Sequence, residues 1–324
     1  MAVQIAQFDD AQLHANALAG WDQSYYQITS GRIQCLLTQV VVDRLHVFRE
    51  VFNQRVAQYG AAPVGGVSFA VPLHVPGDAT LQGRRFEQNS LHALASREDF
   101  VFHVAEGMDT LILTFDADEL AELVECMQLA WSTQRCRGRP LATDPLCYAN
   151  AVRRLGDAFG AATQNEAMFE SLHAQKMFRH TMLGILLDVL TDDASDRKAD
   201  LTDAVSCDLV RKSREIVLAG GTEPVTVLDL CRMLRVSRRT LQNSFQRVAN
   251  TTPLGYLRAI RLSEVRRALM TSTRAALSIG DAAARFGFFH LSHFTADYKS
   301  LFGELPSDTK RFETSGASLR STFH

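Results

Sequence analysis

The sequence predicts an α+β chain in two parts: a β-rich sandwich or small barrel with trailing helices, then an all-α region of two tandem helix-turn-helix units. Three observations predict it. Short β-type runs separated by Gly and Pro turns fill positions 32–115. Helical periodicity takes over after Phe115. Positions 225–311 then carry one pattern twice: Val227, Asp229, Leu230 and Leu234 align with Ile279, Asp281, Ala282 and Phe286 at an offset of 52, and Leu241 and Phe245 with Phe294 and Tyr298 at 53. So regular a repeat implies two copies of one supersecondary unit, the second with a turn one residue longer.

In chain order, residues 1–30 are mixed, with one short helix near 10–19 followed by Trp21-Asp22-Gln23-Ser24-Tyr25-Tyr26. Strands are expected at 34–42, 46–52, 67–75, 90–95, 100–103 and 110–115, punctuated by Pro63-Val64-Gly65-Gly66, Pro76-Gly77-Asp78 and Glu106-Gly107. Such a fold either encloses a ligand cavity or has a solid core. Helices follow at 117–131, from a cap at Asp144 to about 159, and at 166–190. The last has two apolar stripes, one of Phe178, Met182, Ile185 and Val189, the other of Leu183, Leu186 and Leu190. One stripe can face a partner, giving a homodimer through Met182, Ile185, Leu186 and Val189; alternatively both are covered within one subunit. Polar residues 191–200 read as a linker. The expected division is therefore 1–190, a linker at 191–206, and 207–312, with a frayed tail beyond.

In the first repeat Thr226 can cap a helix over 227–234, Arg235-Val236 form the turn, and Ser237 caps a second helix with Leu241, Phe245 and Val248 inward. In the second, a helix over 279–286 is followed by a Gly287-Phe288 turn and a helix carrying Phe294, Tyr298 and Leu301. Small Cys231 and Ala283 let the paired helices cross closely. Residues 256–269 read as one connecting helix.

The net charge of −2 hides an asymmetry. Residues 205–324 hold 18 Lys and Arg against 10 Asp and Glu, whereas residues 1–204 hold 16 against 26. A basic module behind an acidic one points to a nucleic-acid partner for the basic module only. Six cysteines without a CxxC pair read as reduced thiols, and no signal peptide or membrane-length apolar run is seen, so a soluble cytoplasmic protein is expected. No phosphate loop, GxSxG or HExxH motif occurs. His46, His74, His92 and His103, with Glu87 and Glu106, lack the HxH spacing a metal-binding barrel would want. Neither catalytic residues, metal nor cofactor are expected.

Ser237-Arg238-Arg239-Thr240-Leu241-Gln242, Arg261-Leu262 with Ala268-Leu269, and Gly287-Phe288, His293-Phe294, Tyr298-Lys299 and Phe302-Gly303-Glu304-Leu305-Pro306-Ser307 resemble the DNA-binding half of the AraC/XylS transcription regulators. The chain departs from that pattern at Arg235 and Asn250, where the family usually has glycine, and at Thr309, where an aromatic is common. More weakly, Trp21, Gln27, Gly31-Arg32, the 35–42 strand and Leu45, Phe48-Arg49-Glu50 resemble regulators of the ethanolamine-operon type. The resemblance implies a cupin-like sensor half, promoter DNA as partner, a homodimer, contact with RNA polymerase and a small-molecule effector of unspecified identity. Two alternatives stay open: a regulator whose N-terminal half only dimerises or meets another protein, and a β-barrel enzyme fused to a DNA-binding module.

A recognition helix presents its N-terminal outward residues to base edges. The expected base readers are Arg238, Arg239, Gln242 and Asn243, then Ser292 and His293. Ser237, Thr240, Gln246, Arg247, Thr295 and Lys299 are expected on phosphates. Arg238 and Arg239 can instead be backbone clamps. Because small Ala296 stands where the family often has a long polar residue, the first unit is expected to supply most specificity. The connecting helix should hold the two recognition helices about one DNA turn, roughly 34 Å, apart.

Overall fold

The computed structural model describes residues 2–126, 140–142, 144–164, 171–191, 201–219 and 225–311. Its first half is two antiparallel sheets. Strands β1 (Ala2–Phe8), β3 (Cys35–Val42), β4 (Leu45–Phe52), β6 (Gly66–His74), β9 (Ser90–Leu94), β11 (Asp109–Asp116) and β12 (Pro140–Ala142) form a seven-stranded sheet ordered β1-β3-β4-β11-β6-β9-β12. Strands β2 (Asp22–Gln27), β5 (Val56–Ala61), β7 (Thr80–Leu81), β8 (Arg84–Arg85) and β10 (Asp99–Val104) form the second, ordered β2-β5-β10-β7-β8. The six expected strands are present. The other six lie outside the expected runs: β7, β8 and β12 are only two or three residues long, and Gln, Asp, Ser and Gly interrupt the apolar pattern of β1, β2 and β5.

The molecule is layered, and strand alternation explains the layers. On β11, Leu111, Leu113 and Phe115 face one side of the large sheet while Ile112 faces the other. A short helix α1 (Ala11–Asn16), capped by Asp10, lies between β1 and β2, within the stretch expected to be helical. The first side is covered by helices α2 (Ala117–Cys126), α3 (Pro145–Gln164) and α4 (Leu172–Thr191). Asp144 Oδ2 caps α3 as expected, accepting from the Leu146 and Cys147 amides at 2.9 Å. The second side meets the small sheet through Tyr25, Phe52, Phe86, Phe100 and Phe102. The outer face of the small sheet, bearing Tyr26, Ala57, Tyr59 and Val101, shares a core with the C-terminal helices. Burying all four faces removes most apolar surface from water at about 25 cal/mol per Å².

Two expectations are corrected here. Met182, Ile185, Leu186 and Val189 do not form a free dimer face: they are 0–4% exposed, as are Leu183 and Leu190 nearly so, inside the core that α3, α4 and the large sheet share. A helix wedged between a sheet and another helix needs two apolar stripes, and both are spent within one chain. The bounds of the linker expected at 191–206 are also corrected: residue 191 ends α4, and 201–206 belong to helix α5 (Leu201–Ala219). Residues 192–200, and parts of the stretches expected as helices at 127–131 and 166–170, lie outside the described residues, as does the tail from 312.

Candidate nucleic-acid interface

The C-terminal helices are α6 (Val227–Leu234), α7 (Arg238–Ala249), α8 (Pro253–Met270), α9 (Ile279–Arg285) and α10 (Leu291–Phe302). The first unit is α6 with α7. Thr226 and Asp229 form a capping box at the start of α6. Arg235 ends it in a left-handed conformation, φ 55° and ψ 42°, the geometry for which glycine is the usual residue. Ser237 Oγ then accepts from the Thr240 amide at 3.0 Å and caps α7. The second unit repeats this with Ser278 capping α9 and Gly287 at φ 83°, but α10 starts at His290 without a side-chain cap. Cys231 is half-buried rather than fully buried, while Ala283 is 0% exposed.

Helix α8 ties the units together. Its first half packs Tyr256, Leu257 and Ile260 on Leu241, Phe245 and Val248, and its second half packs Leu262, Val265 and Leu269 on Phe294, Tyr298 and Leu301. At 1.5 Å per residue its 18 residues span about 27 Å. Helix α8 is buried on nearly every side, because the small sheet covers what the two units leave.

On α7, Arg238, Arg239, Thr240, Gln242, Asn243, Gln246 and Arg247 are all exposed, and Leu241 and Phe245 are fully buried. The outward row Arg239, Gln242, Asn243, Gln246 runs at helical spacing, so these side chains lie on one face. Ser237 and Thr240 share a 2.8 Å hydroxyl contact at the helix start, and Gln246 donates to Asn250 Oδ1 at 2.5 Å. On α10, Ser292, His293, Ala296 and Lys299 are exposed and Thr295 is half-buried. Arg on α7 carries the pair of donors that suits a guanine edge, and Gln the donor and acceptor that suit an adenine edge. The α10 face has shorter side chains.

What the sequence did not disclose is how the β-sheets hold these helices. The last carbonyls of a helix lack intrahelical partners. On α7, Val248 O accepts from Thr80 Oγ1 at 2.6 Å and Ala249 O from Arg55 Nη2 at 3.0 Å. On α10, Leu301 O accepts from Gln27 Nε2 at 2.6 Å and from the Gly31 amide at 3.1 Å. Gly303, at φ 72°, lies so close to the Arg32 backbone that a Cβ would stand 3.1 Å from its nitrogen. On α8, Arg266 is 8% exposed and donates to Asp10 at 2.6 Å and Glu304 at 2.6 Å while stacking on Phe302. Glu304 also accepts from Thr309, whose hydroxyl contacts Tyr298, so a polar residue at 309 completes the network around Arg266. Tyr256 meets Tyr59 and His103 across the same boundary, with His103 Nε2 2.9 Å from its hydroxyl. Charged or hydrogen-bonding residues at Asp10, Gln27, Thr80 and Arg266 carried no visible partner in a linear reading. Their only sequence signal is polarity inside otherwise apolar or β-type segments.

Of the four histidines considered as metal ligands, His74 is exposed and the other three are engaged otherwise. His46 contacts Gln39, His92 contacts Ser90, and His103 contacts Tyr256. Burial lowers His46 to about 4, and burial with a nearby arginine lowers His92 and His103 to about 3, so all three rings are neutral near pH 7. Among the described residues no group of three or more His, Cys, Asp or Glu is placed to hold a metal ion. No described helix is long and apolar enough to cross a membrane.

A helix-turn-helix domain family matches residues 230–311. The XylDLEGF operon transcriptional activator of Pseudomonas putida is 42% identical over 87 residues, covering 27% of this chain and 27% of its own length. A second Pseudomonas putida protein, XylDLEGF operon transcriptional activator 2, is 36% identical over 105 residues, covering 31% of this chain and 67% of its own. The solved structure of a probable AraC family transcriptional regulator from Rhodopseudomonas palustris is 31% identical, covers 32% of this chain and 94% of that one, and has a TM-score of 0.27. The match spans about a third or less of the length of the first curated relatives, 31% and 27%. Through its C-terminal third, the chain belongs to the AraC/XylS family of transcription regulators.

Proposed function

We propose that this protein is a sequence-specific DNA-binding transcription regulator that activates its promoters. The observation that carries the reading is the pair of recognition helices on one buried connecting helix, with α7 presenting an unbroken outward row of Arg239, Gln242, Asn243 and Gln246. Arg239 and Gln242 read bases, and Arg247 and Lys299 meet phosphates. Activation is supported by the similarity to proteins named transcriptional activators, and it implies contact with RNA polymerase at the promoter. Selection of duplexes from a random-sequence library by the full chain tests this. A recovered motif bound far more tightly than random DNA supports it; enrichment of no motif overturns it.

The N-terminal sandwich is the effector-responsive part in this reading. Between the sheets lies a cavity of about 30 Å³ lined by Trp21, Tyr25, Glu50, Gln58, Phe100 and Phe102, among others. Trp21 Nε1 and Gln58 Nε2, both buried, have no hydrogen-bond partner among the described residues. Two such donors suit a carbonyl or carboxylate acceptor on a small, otherwise apolar molecule. The cavity is far smaller than the few hundred Å³ usual for a ligand pocket, so an effector enters only as the lining side chains move. Thermal unfolding against small carboxylic acids and amides tests this: a compound that raises the Tm of wild type but not of Gln58→Leu supports it, and a flat response across the set counts against it.

A further inference from the structure

The sheet half also places a positive charge beside the DNA-reading helix. Strands β7 and β8 form a tight hairpin whose two turn residues, Gln82 and Gly83, have φ of 55° and 75°. That turn geometry matches strand twist and makes a stiff two-residue hairpin. The hairpin is fixed to the end of α7 by the buried Thr80 to Val248 bond at 2.6 Å, and Asn250 approaches Asp78 at 3.4 Å. Between hairpin and helix lies an open polar cleft of about 430 Å³ lined by Asp78 and Arg85 on one side and Asn243, Gln246 and Arg247 on the other. Arg85 is 78% exposed, and its contact to Asp78 is a loose 3.6 Å.

Asn243 and Gln246 belong to the outward row that begins at Arg239, so the hairpin faces the surface that would meet DNA. From Arg239 to Gln246 the helix advances about 10 Å. The major groove is about 12 Å wide. With Arg239 and Gln242 at base edges, Gln246 and the adjoining hairpin stand at the level of the phosphate ridge that bounds the groove. We infer that Arg85 of the N-terminal sandwich, together with Arg247, contacts that phosphodiester backbone, so that the regulatory half of the chain is itself part of the DNA interface. Arg85 is strongly exposed and held by one loose contact, so its guanidinium can turn to a phosphate.

The inference rests on the DNA-binding reading, and one experiment separates the two. Full-length wild type, Arg85→Ala and Arg85→Lys are compared on the same library-selected duplex between about 50 and 200 mM salt. One lost phosphate contact lowers the log–log salt slope by about 0.9, so wild type should lose about 3.5-fold more affinity than Arg85→Ala over that range. Arg85→Lys should keep the wild-type slope, and base preference should not change in either variant. An Arg85→Ala slope equal to wild type, or tighter binding because the hairpin obstructs DNA, overturns the hairpin contact while leaving the function intact. Failure of wild type to bind any duplex overturns both.

Discussion

Arg235 holds a left-handed backbone in the first turn where the family has glycine, and a non-glycine residue there costs about 1–2 kcal/mol. Glycine removes that strain but gives the unfolded chain more freedom, worth roughly 0.5–1 kcal/mol. Arg235→Gly should therefore raise stability by about 0.5–1 kcal/mol net, visible as a small increase in Tm; an unchanged or lower Tm would show that the Arg235 side chain compensates the strain. His103 gives a second residue-scale prediction. Its pKa is lowered to about 3 by burial and by Arg55, below the ordinary 6.5. The unfolded chain then binds more protons than the native one between about pH 6.5 and 3, so stability is fully present above 6.5 and falls as the solution is acidified through that window. His46 and His92 act in the same direction. Because His103 touches Tyr256 on α8, its share acts on the boundary between sheet and helices. His103→Gln should lose less Tm between pH 7 and 5 than wild type does; equal losses would remove His103 from the account. Arg235 could be marked as unusual from sequence, because turn chemistry is local. His103 could not be placed at that boundary, since its partner lies 153 residues away.

At the scale of elements, the two recognition helices differ in what their outward faces can do. Arg239→Ala and Gln242→Ala on α7 should each cost about 1–3 kcal/mol on the selected site and relax discrimination at one base position. Ala296→Gln on α10 should change little. If Arg239→Ala weakens selected and random duplexes equally, Arg239 is a phosphate clamp instead. Lys299→Ala should reduce the salt slope by about 0.9 with base preference unchanged. The helices, their caps and the inward positions Leu241, Phe245, Phe294 and Tyr298 were legible because helical period and capping residues are local signals. Helix α4 shows the limit of that reading. Periodicity revealed two apolar stripes but not their neighbours, and a partner subunit and a second layer of the same subunit leave the same pattern. Strand β5 was missed for a related reason: its Gly60 sits where a Cβ would meet the Asp22 carbonyl at 2.5 Å, so the residue that breaks the β-type pattern is the one that lets β2 approach.

At the scale of the whole molecule, a connecting helix and a linker are not all that positions the DNA-binding units. The last carbonyls of both recognition helices are held by the first half of the chain, α7 through Thr80 and Arg55 and α10 through Gln27 and Gly31. Residues far apart in sequence thus hold the ends of the reading helices, and such a clamp, unlike the units themselves, leaves no local signal in the sequence. Physical consequences follow from the geometry of DNA. One inserted base pair between the two contacted segments moves one about 3.4 Å along the axis and turns it by roughly 35° relative to the other. Two helices held at both the shared helix α8 and their C-terminal ends resist that displacement, so wild type should discriminate strongly against the inserted site. Thr80→Val with Gln27→Leu removes two clamping donors, leaves every outward residue of α7 and α10 in place, and spares the core around α8. The double variant should bind the normally spaced site somewhat more weakly and the inserted site relatively better, shrinking the affinity ratio between them. It should also lower the Tm, because Val248 and Leu301 carbonyls lose their partners in a buried setting. Competition binding with both duplexes measures the ratio directly. A lower Tm with the wild-type ratio intact would show that α8 alone sets the spacing and that the sheet merely supports the helix ends.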